Sequence, residues 1–140
     1  MKDTSPVYII DDDQDDQDAI KDIFKELDLK NPLLFFDSGK EMLTCLKSSD
    51  LTPFLILCDV NIPEMNGFEL RQKLLEDKDL NYKCVPFIFW STYANNNQIK
   101  KAYDLSVHGF FIKGKNFSEM KNSFKILFAY WNESKQPDEV

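Results

Sequence analysis

Asp11, Asp12 and Asp59 stand where apolar runs stop, and from them the chemistry of the chain can be read. Val7-Tyr8-Ile9-Ile10 ends on Asp11-Asp12-Asp13, and Phe54-Leu55-Ile56-Leu57-Cys58 ends on Asp59. Runs without polar alternation read as strands buried on both faces of a parallel sheet. Ligands of such sheets sit beyond the carboxyl ends of the strands. Two further runs end on groups of other kinds: Phe87–Trp90 on Ser91-Thr92, and Phe110–Ile112 on Lys113. A strand-end aspartate serves either as a helix cap or as a ligand, and for Asp59 the residues alone leave both open. Three carboxylates crowded at one edge repel by about 4 kcal/mol per pair at 4 Å and an effective dielectric near 20. A fold carries that load with a cation present or with shifted protonation. Hard oxygen ligands with open positions suit magnesium, which binds alongside a phosphate. Lys113 offers a compact positive charge to a phosphoryl oxygen, and Ser91 offers a hydroxyl to another. The set describes a phosphoryl-transfer site with a carboxylate nucleophile.

The elements that must position these groups alternate along the chain. After the acidic turn, Ala19, Ile20, Ile23, Phe24 and Leu27 recur at helical spacing, and Asn31-Pro32 ends that helix. Leu33–Phe36 is the second strand, and Asp37-Ser38-Gly39 turns into a helix bearing Met42, Leu43 and Leu46. The Asp59 strand leads through Asn61, Pro63, Asn66 and Gly67 to a helix with Phe68, Leu70, Leu74 and Leu75. A polar stretch, Glu76 to Lys83, precedes Pro86 and the fourth strand. Asn95-Asn96-Asn97 caps a helix whose apolar side is Ile99, Ala102, Tyr103 and Leu105. Gly109 opens the fifth strand, and the last helix, roughly 118 to 132, carries Met120, Phe124, Leu127, Phe128 and Trp131. Five strands alternating with five helices predict a (βα)5 three-layer α/β sandwich with right-handed crossovers. The flavodoxin-like order 2-1-3-4-5 places strands 1 and 3 side by side at the switch point. Asp11, Asp12 and Asp59 then share one edge with Ser91 and Lys113.

Composition bounds the function. The 140 residues predict one domain, with a core over about 6–132 and a polar tail over 133–140. A net charge of -7 and a pI near 4.7 argue against nucleic acid and anionic membrane surfaces as partners. No apolar run approaches the roughly 18 residues of a membrane-spanning helix, and the N-terminus lacks the core of a signal peptide. Cys45, Cys58 and Cys84 form no metal spacing and read as thiols of a reducing cytosol.

At this point the chain resembles the receiver domain of two-component response regulators over essentially its whole length. The family's phosphorylated aspartate matches Asp59 within Asp59-Val60-Asn61-Ile62-Pro63-Glu64-Met65-Asn66-Gly67, and its acidic pair matches Asp11 and Asp12. The resemblance implies magnesium held by Asp12, Asp59 and the backbone carbonyl of Asn61, with Asp11 holding a metal water. It further implies Ser91 as the switch hydroxyl, Lys113 as the invariant lysine and Phe110 as the switch aromatic. A histidine kinase or phosphotransfer protein is then the phosphodonor. The signal leaves through the face of helix 4, strand 5 and helix 5 toward a downstream protein, since no output domain is legible.

Three departures from the family pattern stand out: Gly114 replaces the usual proline after the lysine, Trp90 is bulky before the switch hydroxyl, and Phe110 lacks a phenolic hydroxyl. A cis bond without proline costs about 2.5–4 kcal/mol, so the Lys113–Gly114 geometry is open at this stage. Two other functions compete with a switch that is no conventional enzyme. A magnesium phosphohydrolase wants a second acid two residues after its nucleophile, where this chain has Asn61. A degenerate interaction module is disfavoured by the complete acid, serine and lysine set. Asp13, Asp15, Asp16 and Asp18 read as caps and a solvated face, His108 as a loop histidine, and Cys58 as strand packing.

Overall fold

The computed structural model describes residues 4–79 and 85–136. Cys84, part of the polar stretch before Pro86 and the end of the tail lie outside them. The element order is β1 (Val7–Ile10), α1 (Gln14–Glu26), β2 (Leu33–Phe36), α2 (Gly39–Ser48), β3 (Leu55–Asp59), α3 (Gly67–Glu76), β4 (Phe87–Ser91), α4 (Asn96–Asp104), β5 (Gly109–Ile112) and α5 (Phe117–Glu133). The sheet is parallel throughout, in the order β2-β1-β3-β4-β5. This is the predicted arrangement.

Period-two alternation splits the apolar residues between two layers. Tyr8, Ile10, Ile56, Cys58, Phe87 and Phe89 face α2, α3 and α4, packing on Met42, Leu46, Phe68, Leu70 and Ala102. Val7, Ile9, Leu55, Leu57, Ile88 and Trp90 face α1 and α5, against Ile20, Ile23, Phe24, Phe124 and Phe128. All residues of β1, β3 and β4 are buried, whereas the edge strands β2 and β5 are only half covered. Each buried Leu, Ile or Phe side chain contributes about 1.5–3 kcal/mol by leaving water. The helical spacing overstates α4: Ala102 is its buried residue, and Tyr103, read as part of an apolar side, points outward.

Caps fix where the helices start, and thereby the loops at the carboxyl edge. Asp13 accepts the N–H groups of Asp15 and Asp16 at 2.8 and 3.1 Å. Asn66 and Glu69 form a reciprocal capping box on α3, as Asn95 and Gln98 do on α4. Ser38 and Asn116 cap α2 and α5. Such caps are each worth about 1 kcal/mol. No helix among the described residues is long and apolar enough to cross a membrane.

Candidate active site at the carboxyl edge of the sheet

Strand register carries the chemical groups to one edge. Asp59 pairs with Trp90 across β3 and β4, and Ser91 with Ile112 across β4 and β5. The ladder runs one bond further, with Lys113 N–H donating to the Ser91 carbonyl at 2.8 Å and Asp11 N–H to the Phe36 carbonyl at 3.0 Å.

The centre of the site is the Lys113 ammonium. It donates to Asp59 Oδ2 at 2.7 Å, Asp16 Oδ2 at 2.8 Å and Asp11 Oδ2 at 3.1 Å. An ammonium has three hydrogens, so every donor it owns is engaged. Nζ also lies 4.8 Å from the centre of the Trp90 ring, where the negative face of an indole attracts a cation. Burial alone would lower the Lys113 pKa, but the hydrogen bonds of Asp16 and Asp59 and the nearby carboxylate charges hold it above the ordinary lysine value. The lysine stays charged.

The acids differ in environment. Asp11 is fully buried, its Oδ1 accepting the Asp13 N–H at 2.9 Å. Desolvation pushes its pKa from the ordinary 3.8 up to about 7, against the lowering effect of that hydrogen bond and of Lys113. Asp59 is also buried, with Oδ1 accepting the Asn61 N–H at 2.9 Å. Asp12 and Asn61 are exposed at the mouth. Among the described residues, no three acidic, cysteine or histidine side chains close on one point as a ready-made metal cage. The donor set is nonetheless all hard oxygen, the chemistry that suits magnesium.

Backbone shape keeps the edge open. Gly67 donates its N–H to the Val60 carbonyl at 2.8 Å. A Cβ there would lie 2.9 Å from the Asp59 carbonyl oxygen and 2.8 Å from the Phe89 ring. Between them, Glu64 takes φ 68°, with Met65 N–H bonded to the Pro63 carbonyl at 2.8 Å. That is a tight three-residue turn of the strained kind. The Lys113–Gly114 peptide is trans, like every peptide bond among the described residues. α5 closes over Gly114, whose Cβ, if present, would meet Glu119 Cβ and the Met120 nitrogen at 2.7 Å.

Ser91 is buried and donates its hydroxyl to the Tyr93 carbonyl at 2.8 Å. Phe110 is half-buried, its ring 6.1 Å from that of Phe89 on the α4 side of the sheet. The structure thus gathers Asp11, Asp59 and Lys113 in direct contact, sets Asp12, Asn61 and Ser91 at the same edge, and leaves Phe110 behind it.

Three residues play parts the sequence reading did not give them. Asp16, read as a solvated-face acid, touches Lys113. His108, read as a loop residue, gives its backbone N–H to the Phe87 carbonyl at 2.8 Å and accepts the Phe87 N–H on the ring nitrogen Nδ1 at 3.0 Å. Burial and the Arg71 charge lower its pKa, which keeps that nitrogen free to accept. Arg71, buried on α3, donates to the Leu105 and Ser106 carbonyls at 3.0 and 2.9 Å and so ties down the end of α4. An arginine inside an otherwise apolar helical stripe was the available signal for the last of these.

The fold and this edge define a phosphoryl-accepting type of α/β domain, and comparison with known proteins places the chain. It belongs to the response regulator receiver domain family, whose model matches residues 7–125. It is similar to response regulator Rcp1 of Synechocystis sp., 21% identical over 133 residues that cover 91% of this chain and 89% of the relative. Chemotaxis protein CheY-3 of Vibrio cholerae is 25% identical over 122 residues, covering 87% and 90%. The phosphorylated cyanobacterial phytochrome response regulator RcpA superposes with a TM-score of 0.86 at 24% identity, covering 96% of this chain and 99% of that one. The Mn(2+)-bound form of Rcp1 superposes at 0.81 and 21% identity, covering 95% and 99%. Receiver domains are signalling modules of two-component systems, phosphorylated on an aspartate, and interact with histidine kinases or phosphotransfer proteins.

Proposed function

We propose that the chain is a magnesium-dependent phosphoacceptor switch in which Asp59 is the residue that takes the phosphoryl group. The observation that carries this reading is the 2.7 Å contact between Lys113 Nζ and Asp59 Oδ2, at the end of a strand buried on both faces. A buried carboxylate whose charge is matched by a buried ammonium is a nucleophile paired with the cation that will stabilise its product.

An Asp59 carboxylate oxygen attacks the phosphorus of a phosphohistidine. The P–N bond breaks, the imidazole leaves with the bonding electron pair, and an aspartyl phosphate forms. Positioning and charge stabilisation supply most of the catalysis in such transfers. Lys113 donates to one phosphoryl oxygen and Ser91 to another. Asp12, Asp59 and the Asn61 carbonyl are the oxygen donors that would hold magnesium, with Asp11 on one of its waters. When bound, the cation neutralises charge on the phosphoryl oxygens. The all-oxygen donor set and the Mn(2+)-bound form of the similar Rcp1 support a divalent cation here, and the family resemblance makes magnesium the choice.

Ser91 leaves the Tyr93 carbonyl when it reaches toward the phosphoryl group, and Phe110 fills the space behind it. Two-state packing of this kind carries a local bond to a distant surface. That surface is the α4–β5–α5 face, where Tyr103, Ile112 and Tyr130 are exposed and available to a downstream protein. The free thiols Cys45 and Cys58 suit a cytoplasmic setting. A phosphohydrolase reading is disfavoured because Asn61, not an acid, follows Asp59 by two and gives its N–H to Asp59 Oδ1.

Incubation with a small acyl phosphate and magnesium tests the reading by intact mass. The gain of one phosphoryl group, absent when a chelator is present, is expected. No gain with magnesium present leaves only an interaction module.

A further inference from the structure

Lys113 donates all three of its hydrogens to carboxylates. A phosphoryl oxygen on Asp59 can therefore be bonded only if one of these contacts is given up. The three acids are not equivalent in this respect. Asp59 loses its negative charge when it becomes an acyl phosphate. Asp11 has the longest contact, 3.1 Å, and is one of the acids assigned to the cation. Asp16 is neither nucleophile nor metal acid. Its carboxylate lies 2.8 Å from Nζ, with the side chain 17% exposed.

We propose that Asp16 is a positioning residue: it tethers the Lys113 ammonium against the Trp90 ring while the contact to Asp11 is exchanged for a phosphoryl oxygen. The inference rests on the reading of Asp59 as phosphoacceptor. Asp16 reaches the lysine from the first turn of α1 across 97 positions of sequence, and Trp90 lies beneath Nζ at 4.8 Å. The ammonium is thus held on two sides by groups that phosphorylation does not alter. Without Asp16, the flexible four-carbon stem swings, and the donor meets the phosphoryl oxygen in fewer of its rotamers.

Asp15 supplies the control. Both acids stand in the first turn of α1 and favour its positive end alike, but Asp15 is exposed and its backbone bond is to Asp13. A role in helix electrostatics alone predicts equal effects of Asp15→Asn and Asp16→Asn.

The test uses the full chain and two readouts. The first, without metal, is the proton–nitrogen correlation of the Lys113 ammonium, which persists only while its hydrogens are bonded and protected from exchange; Lys113→Arg assigns it. The second is the rate of phosphate uptake from a small acyl phosphate with magnesium, followed by mass. Asp16→Asn is expected to broaden or abolish the ammonium signal and slow uptake about tenfold, the scale of one lost charge-assisted hydrogen bond. Asp15→Asn should change neither, and Asp16→Glu should recover part of both. Equal slowing by the two Asn variants, an unchanged ammonium signal in Asp16→Asn, or faster uptake by that variant would overturn the tether. If the wild-type chain takes up no phosphate, the phosphoacceptor reading fails, while the metal-free signal still decides whether Asp16 holds Lys113.

Discussion

The Ser91 hydroxyl donates to the backbone carbonyl of Tyr93 at 2.8 Å. Its single proton is committed to the β4–α4 loop, and serving a phosphoryl oxygen means releasing that carbonyl. The loop and the switch are therefore one device. Ser91→Ala is expected to accept phosphate still, because Asp59, Lys113 and the metal acids remain. It should lose most of the hydrogen-exchange change across α4 and β5 that phosphorylation brings to the wild type. A full wild-type change in Ser91→Ala would transfer the role to Thr92.

The acids of the pair answer differently to neutralisation. Asp12→Asn removes a charge from the mouth of the site and an oxygen donor for the cation. Magnesium affinity, followed through Trp90 and Trp131 fluorescence, should fall at least tenfold. Stability without metal should hold or rise, since carboxylate repulsion is relieved. Unchanged affinity would remove Asp12 from the ligand set.

Asp11 makes the stability of the metal-free protein depend on pH. Its folded-state pKa is raised from 3.8 to about 7 by burial. Between those values the folded chain holds a proton that the unfolded chain has lost, so stability declines as pH rises. The contribution is fully present below about pH 4 and gone above about pH 7. Asp11→Asn should flatten this part of the denaturation midpoint against pH curve. A wild-type slope retained in that variant would place the titrating group elsewhere.

Gly114 gives a prediction of sign. At an ordinary φ, Gly→Ala stabilises by about 0.4–1 kcal/mol through the unfolded chain. Here the added methyl would lie 2.7 Å from Glu119 Cβ and the Met120 nitrogen, which pushes the first turn of α5 off the sheet. Gly114→Ala is expected to destabilise by about 1–3 kcal/mol, the range of overpacked sites. Denaturant titration reads it, and a raised midpoint would show that α5 yields freely.

What could be read from the sequence follows from range. Strand ends are local signals, so the positions of Asp11, Asp59, Ser91 and Lys113 at one edge followed once the alternating pattern gave a parallel sheet of the expected flavodoxin-like order. Asp16 was not legible, because a first-turn acid looks the same as Asp15 until α1 is rotated against β5. His108 does lie in a loop as read, just before β5, but its partner Phe87 is 21 positions away on the neighbouring strand and so was not legible. Tyr103 fell in the apolar stripe by spacing, but α4 is only nine residues long and buries Ala102 alone. The bulk of Trp90 is legible in the sequence, whereas its use, a floor under the lysine ammonium, needs the packed layer of α5.

The assignment of the phosphoryl group to Asp59 can be read directly. After incubation with a small acyl phosphate and magnesium, borohydride reduction converts an aspartyl phosphate to homoserine, which peptide mass analysis locates. Homoserine at position 59, and none in Asp59→Asn treated alike, is the predicted result. Homoserine at Asp11, Asp12 or Asp16, or continued labelling of a folded Asp59→Asn protein, would contradict it.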